Sequence, residues 1–140
     1  MTNPTGGKIR KDLSGDGRYG SSRGWRKHLG ADYAGRVSQP VVAIIGGVVT
    51  RAIRVYADTP NYTGIEITNK HMQVKMLYLD FSPGLIGQIV EEGQVVGTLQ
   101  DVTKHYKHPQ KGDQPHIHAE VVSVDPEYLI FNGELLNGTP

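Results

Sequence analysis

Pro115-His116-Ile117-His118-Ala119-Glu120 is the stretch on which the reading of this chain turns. Ile117, Ala119, Val121 and Val122 make it apolar enough for a strand, and in a strand side chains two apart point to the same face. His116 and His118 therefore share a face. Imidazoles inside an apolar strand need partners to offset the cost of leaving water. Upstream, the run Arg26-Lys27-His28-Leu29-Gly30-Ala31-Asp32 carries a second polar pair, His28 and Asp32. Four apart, the two would share a face of a helix, but Gly30 argues for a turn followed by a strand instead. Two histidines and one carboxylate form a donor set that suits zinc and leaves a coordination position for water. Each half also has an ordinary explanation. A His-x-His pair arises readily by chance among six histidines, and a lone His–Asp pair is more often a surface salt bridge or hydrogen bond.

The 140 residues are enough for one domain with a real core and too few for two comfortable ones. Fifteen basic residues against 14 acidic ones leave the chain near neutrality, so its overall charge implies no nucleic-acid partner. Eighteen glycines and 8 prolines favour short strands joined by tight turns over a helical bundle. The absence of cysteine excludes disulfides and a thiolate metal site. No run is long enough to span a membrane, and residues 1–11 lack the apolar centre of a secretory signal.

In chain order, residues 1–11 read as a loosely held polar leader, 12–131 as a β domain and 132–140 as a C-terminal tail. Asp12 to Gly24, rich in Gly, Ser, Asp and Arg, reads as a surface loop. No Gly-Lys-Ser/Thr follows its glycines, which disfavours a nucleotide site. Pro40 to Ile45 and Val48-Val49 around Gly46-Gly47 predict strand, tight turn and strand, with Ile53 to Tyr56 prolonging the second. Asp58-Thr59-Pro60-Asn61 reads as a turn. Ile65 to Thr68 and Met72 to Leu79 predict a hairpin, the latter alternating through Met72, Val74, Met76 and Tyr78. Val90 to Gly97 predicts a β-turn-β unit. Leu99 to Tyr106 is the best candidate for a short helix, opened by Asp101 or Thr103. After the basic loop Lys107 to Gln114 comes the histidine strand, continuing through Val124, with Tyr128 to Phe131 as a last strand or turn. The fold class is mainly β: a single domain of antiparallel sheets with at most one short helix.

Gly24 to Tyr33 resembles the Gly-x-Arg-x-His-x-Gly-x-Asp signature of the lysostaphin/LytM-type zinc endopeptidases, which cut peptidoglycan cross-bridges and stem peptides. Pro115 to Val121 resembles their His-x-His strand. Pro40 to Val49 is similar to a family hairpin, Val90 to Gly97 to its val-x-x-gly-gln-x-val-gly turn, and Asp125 to Leu129 to its closing asp-pro-x-x-tyr-leu. The resemblance runs in order from about Gly15 to Leu129 and implies a duplicated hybrid motif-like fold. It implies that His28, Asp32 and His118 bind Zn2+ and that His116 is a catalytic histidine beside the metal. Glu120, two residues beyond His118, either points the same way and supports a ligand or is a solvent-exposed glutamate. His71 and His108 read as surface residues.

The family usually has a further histidine in a tyr-x-his-leu strand. Here Leu77-Tyr78-Leu79-Asp80-Phe81 puts Asp80 in its place, and a carboxylate cannot donate a hydrogen bond to an oxyanion unless protonated. Asp80 could act differently, His105 could swing in, or activity could be weakened. Gly97 to Asp101 with Thr103 to Tyr106 resembles a phage-encoded branch whose strand also lacks that histidine. The resemblance thus implies a zinc endopeptidase acting on peptidoglycan peptide, as a phage tail-associated or lytic enzyme. It would be borne on a virion tail among tail proteins, or act on the periplasm or wall from the host cell. The rival is a catalytically weakened structural or wall-binding virion protein on the same fold. A lipoyl-type carrier domain, prompted by the Gly93-Gln94-Val95-Val96-Gly97 turn, lacks a lysine at an exposed hairpin tip.

Overall fold

Glycine-bearing turns cut the chain into short strands, and the alternation of apolar residues decides which faces meet. The computed structural model describes residues 1–131; the expected tail, 132–140, lies outside them. The strands are β1 (Lys11–Asp12), β2 (Gly15–Asp16), β3 (Ser22–Arg23), β4 (Arg26–Lys27), β5 (Ala31–Ala34), β6 (Pro40–Val42) and β7 (Gly47–Tyr56). They continue with β8 (Thr59–Thr68), β9 (Met72–Leu77), β10 (Leu79–Asp80), β11 (Ile89–Val90), β12 (Val95–Leu99) and β13 (His116–Val124). One α-helix, α1 (Pro126–Phe131), follows. Among the described residues the domain is mainly β, with antiparallel sheets and one short α-helix, as expected.

Six strands form the main sheet in the order β11-β7-β8-β9-β13-β5, and three form a second in the order β10-β12-β6. The β8–β9 hairpin sets Ile65 opposite Met76 and Ile67 opposite Val74, so one face of the sheet is continuously apolar. Val41, Ala43, Ile44 and Ile45 around β6, with Leu79, Val96 and Leu99, complete a single core with Val49, Ile65, Ile67, Val74, Met76 and Ile117. Ile117 is fully buried. The sheet position of β13, between β9 and β5, is what brings the histidine strand alongside Asp32.

Several expectations are corrected. β6 and β7 are separate strands as read, but they do not form a hairpin with each other. β6 pairs with β12 in the small sheet, while β7 pairs with β11 and β8 in the large one. Ala43 to Ile45 are bent core residues where the chain passes between sheets. The turn expected at Asp58 to Asn61 is tighter: Ala57 and Asp58 turn, and β8 begins at Thr59. Leu99 ends β12, and only Val102–His105 winds, as a 3-10 turn whose N-cap Asp101 accepts from the Thr103 amide at 3.1 Å. The stretch expected as a last strand or turn is helical, because Asp125-Pro126 stops β13 and starts α1, with Pro in a first-turn position that needs no amide donor.

The start of the chain is not loose. Pro4 is fully buried, its carbonyl accepting from the Val42 amide at 3.0 Å, and the Thr2 amide donates to Ile44 at 2.9 Å. The Lys8 carbonyl accepts from Ala34, and the Arg10 amide donates to the Asp32 carbonyl at 2.7 Å. The segment read as a surface loop, Asp12 to Gly24, carries β2 and β3, which pair in small hairpins with β1 and β4 at its two edges.

Candidate metal centre and its cleft

In the antiparallel register of β13 with β5, His118 stands directly opposite Asp32. Cross-strand partners on one face lie close enough for their side chains to touch, and His118 Nδ1 is 2.8 Å from Asp32 Oδ1. Gly30, just before β5, makes this approach possible. A Cβ there would lie 2.8 Å from the His118 ring atoms Cε1 and Nε2, and would also collide with the Ala119 carbonyl. His28 arrives from the other side, its backbone fixed by bonds to Ser21 and Gly20. Its Nε2 lies 3.2 Å from Asp32 Oδ1 and 3.0 Å from His118 Nδ1.

The outer nitrogens of both rings face oxygen acceptors. His28 Nδ1 lies 3.1 Å from the Arg18 carbonyl, and His118 Nε2 lies 2.8 Å from Glu120 Oε1. In the tautomers that place the proton on each outer nitrogen, facing its oxygen acceptor, His28 Nε2 and His118 Nδ1 present lone pairs inward. Two imidazole lone pairs and a carboxylate oxygen then converge, all within 4.8 Å of one another. A cation reconciles three acceptors at such a point, and an outer acceptor on each ligating imidazole is the usual support of a metal site. The donor set, two nitrogens and one oxygen, fits a divalent metal of the zinc type.

The second oxygen of Asp32 is held elsewhere. Arg10 Nε lies 3.2 Å from Asp32 Oδ2, and Arg10 Nη1 lies 2.8 Å from Asp12 Oδ1. Both side chains of each pair are almost entirely buried. Gly17 sits in the crossing: its carbonyl accepts from the Asp32 amide and its own amide donates to Arg10 at 2.8 Å. Burial pushes the Asp32 carboxyl up, but the His118 hydrogen bond and the neighbouring His116, His118 and His28 outweigh it and hold it at about 2. Asp32 is therefore an anion at any physiological pH. Burial lowers all three imidazoles; His28 and His116 stay lowered, whereas bonds to Asp32 and Glu120 leave His118 raised.

His116 shares the face of His118. Its Nδ1 donates to the Gln114 carbonyl at 2.8 Å, and its Nε2 lies 3.6 Å from Asp32 Oδ2. Tyr78 meets the same ring edge to face, with centroids 5.3 Å apart. These residues line a cleft of about 660 Å³, together with His28, Asp32, His118, Glu120, Tyr106 and loop residues Lys107 and His108. Burial raises the Tyr78 phenol far above its ordinary value, and it pushes Tyr106 up to about 12.

Asp80 and His105 are not among the residues lining this cleft. Asp80 Oδ1 accepts from Gln100 Nε2 at 2.8 Å on the small-sheet side of the break after β9. His105 stacks on Tyr56 with centroids 4.1 Å apart, and its Nε2 lies 3.8 Å from Asp58. It is separated from His116 by two tyrosines, since the Tyr56 and Tyr78 hydroxyls bond each other at 2.9 Å. His71, expected at the surface, is half-buried and stacks on Tyr128 at 4.3 Å. His108 is exposed, as expected, but lines the cleft.

Sequence reasoning missed Tyr78 and Arg10. Tyr78 has a positive φ of 76° between β9 and β10, a conformation rare for a bulky residue and concentrated at functional sites. No local residue signals it. Arg10 sits in the supposed leader, and only the apolar Ile9 beside it, which bridges to Tyr33, hints at pairing with the domain.

The model of peptidase family M23 matches residues 26–131. No curated protein matches the sequence. Among solved structures, a Pseudomonas aeruginosa protein assigned to peptidase M23 is 18% identical with a TM-score of 0.58, covering 93% of this chain and 49% of its own. The catalytic domain of the antimicrobial peptidase lysostaphin from Staphylococcus simulans is 21% identical with a TM-score of 0.53, covering 88% of this chain and 91% of its own. A zinc-containing peptidase from Vibrio cholerae is 25% identical with a TM-score of 0.51, covering 84% of this chain and 35% of its own. This chain thus spans about half or less of the Pseudomonas and Vibrio proteins. The likenesses show a shared fold, and the family match spans both the His28–Asp32 run and the His116–His118 strand: the chain belongs to peptidase family M23.

Proposed function

We propose that this protein is a zinc-dependent endopeptidase that hydrolyses peptide bonds of bacterial peptidoglycan. The observation that carries the reading is the convergence of His28 Nε2, Asp32 Oδ1 and His118 Nδ1 at the floor of a cleft that also exposes His116 and Tyr78. His28, Asp32 and His118 would hold the zinc. When bound there, it lowers the pKa of a water molecule and polarises the scissile carbonyl.

The chain's own groups supply the rest. His116 keeps a proton on Nδ1 through Gln114, so Nε2 offers its lone pair to the cleft. Burial disfavours its charged form at rest, which suits a base that accepts a proton from the attacking water and returns it to the leaving amine. The Tyr78 phenol stays protonated and can donate to the oxygen on which negative charge develops. That is a task an ionised Asp80 is ill suited to perform, and in this reading Tyr78 takes it. Arg10 holds Asp32 by its outer oxygen, leaving Oδ1 for the metal.

The likeness of the Gly97 to Tyr106 run to a phage-encoded branch supports a phage tail-associated or lytic role for the enzyme, acting on the wall with tail proteins as partners. The experiment is direct. Purified protein is incubated with peptidoglycan sacculi, with chelator and then with zinc restored, and new free amines are identified by mass spectrometry. Cleavage is expected with zinc, lost with chelator and regained on restoration. Chelator-insensitive cleavage overturns the zinc mechanism. No cleavage at any zinc level favours a structural or wall-binding role.

A further inference from the structure

We infer that the cleft selects a peptide bearing a free carboxylate near the bond it presents to His116, and that Arg26 and Lys107 read that charge. The inference rests on the peptidase reading and goes further, to substrate class. Most charges around the cleft are already paired. Arg10 is bound to Asp12 and Asp32. Arg18 lies 2.7 Å from Asp16. Arg23 donates to the Asp16 carbonyl and the Ser21 hydroxyl at 2.8 Å each. The two carboxylates lining the cleft are taken as well, Asp32 by the histidines and Glu120 by His118.

Arg26 and Lys107 differ. They line the cleft from two segments far apart in sequence, β4 and the loop before β13, and both are exposed. Among the described residues neither has a carboxylate partner. The exposed His108, next to Lys107, lines the same wall. The lining therefore carries four permanent cations, Arg10, Arg23, Arg26 and Lys107, against two carboxylates, Asp32 and Glu120, both of them engaged with histidines, on a chain whose formal net charge is only +1. Such local imbalance in a concave site attracts anions from solution and suppresses cationic ligands. A neutral peptide would leave both cations without a use, and a basic one would meet repulsion. Leu13 and Leu29, exposed on the same lining, give an aliphatic side chain something to rest on.

The test separates recognition from turnover. Fluorescein-labelled pentapeptides of alanine, with glutamate or glutamine at each position in turn, are titrated with the intact protein and followed by anisotropy under chelation. Cleavage of the same set is followed by mass spectrometry with zinc present. At one position or two, the glutamate peptide is expected to bind about tenfold more tightly than its glutamine twin. Arg26→Gln and Lys107→Gln are each expected to reduce that preference about threefold, and the double variant to abolish it. Raising ionic strength should erode the preference in the wild type, since exposed charges are screened. Equal binding and equal cleavage of both series overturns the inference and leaves the peptidase reading standing. Preferential binding of glutamate peptides supports the inference whether or not these short peptides are cleaved, and the digest of sacculi alone decides the peptidase reading. A preference that persists in the double variant overturns the assignment to Arg26 and Lys107.

Discussion

Strand β13 and the break between β9 and β10 both border the cleft, yet they deliver side chains by opposite means. In β13 the backbone alternates regularly: Ile117 goes fully into the core, and His116 and His118 turn together toward the cleft. The pairing with β5 then sets Asp32 against His118. At the break, alternation fails. Met72, Val74 and Met76 are buried in sequence, but Tyr78 adopts φ 76°, and fully buried Leu79 resumes the core. The irregular residue faces the cleft, held by its amide to Thr63 and by its carbonyl from Gln100, both at 2.9 Å. Period delivers the histidines; a fault in the period delivers the phenol.

The largest effect is expected on the regular side. His118→Ala removes one of three converging donors and frees Asp32 Oδ1 and Glu120 of their common partner. Zinc content measured by atomic spectroscopy should fall from about one per chain to near zero, and peptidoglycan hydrolysis should fall by at least about a thousandfold. A variant that loses activity but keeps its metal would break the assignment of His118 as a ligand.

On the irregular side the loss should be smaller and of another kind. Tyr78→Phe keeps the ring against His116 and deletes only the hydroxyl, so zinc content should not change. If the phenol donates to the developing oxyanion, kcat should drop about a hundredfold with little change in KM. An unchanged kcat would reduce Tyr78 to packing against His116. Arg10→Met tests the support beneath both. It leaves buried Asp12 and Asp32 without their common cation, which should cost about 3 kcal/mol in denaturant unfolding. It should also weaken zinc binding by a factor of about ten, the lower end for loss of a group that orients a ligand.

This contrast explains what the sequence disclosed. The strand carrying His116 and His118 was legible because its alternation is regular, and the turn-plus-strand around Gly30 because glycine marks it. The β8–β9 hairpin was legible for the same reason. The separation of β6 from β7 was not, since Gly46-Gly47 signals a turn equally well whether the chain returns to its own sheet or crosses to another. Arg10 was hidden by its polar surroundings; its burial follows from long-range pairing of residues 8–10 with β5, which no local pattern encodes. Tyr78 was misplaced because alternation, the rule that found the histidines, assigns it to the core. Asp80, two positions on, was read as the replacement for a catalytic histidine from the family resemblance of the Leu77 to Phe81 run, which carries no information on where the chain leaves the strand.

Asp80→Asn gives the smallest expected effect and the sharpest separation of the two accounts. Asparagine retains a carbonyl oxygen that can accept from Gln100 Nε2, as Asp80 does at 2.8 Å. Gln100 would keep its other bonds, to the Asn61 carbonyl and from the Thr63 amide. The Gln100 backbone, whose amide binds the Tyr78 carbonyl, would stay in place, and with it the strained tyrosine. Only a negative charge outside the cleft is lost, so kcat/KM should change by no more than about twofold and zinc content not at all. A carboxylate acting as general base behaves otherwise: its amide variant loses about a hundredfold or more in kcat, together with one limb of the pH–rate profile. That result would return the chemistry to Asp80 and require the loop after β9 to rearrange when substrate binds. A twofold change beside a large loss in Tyr78→Phe would leave the break in the strand, and not the residue beyond it, as the source of the second catalytic group.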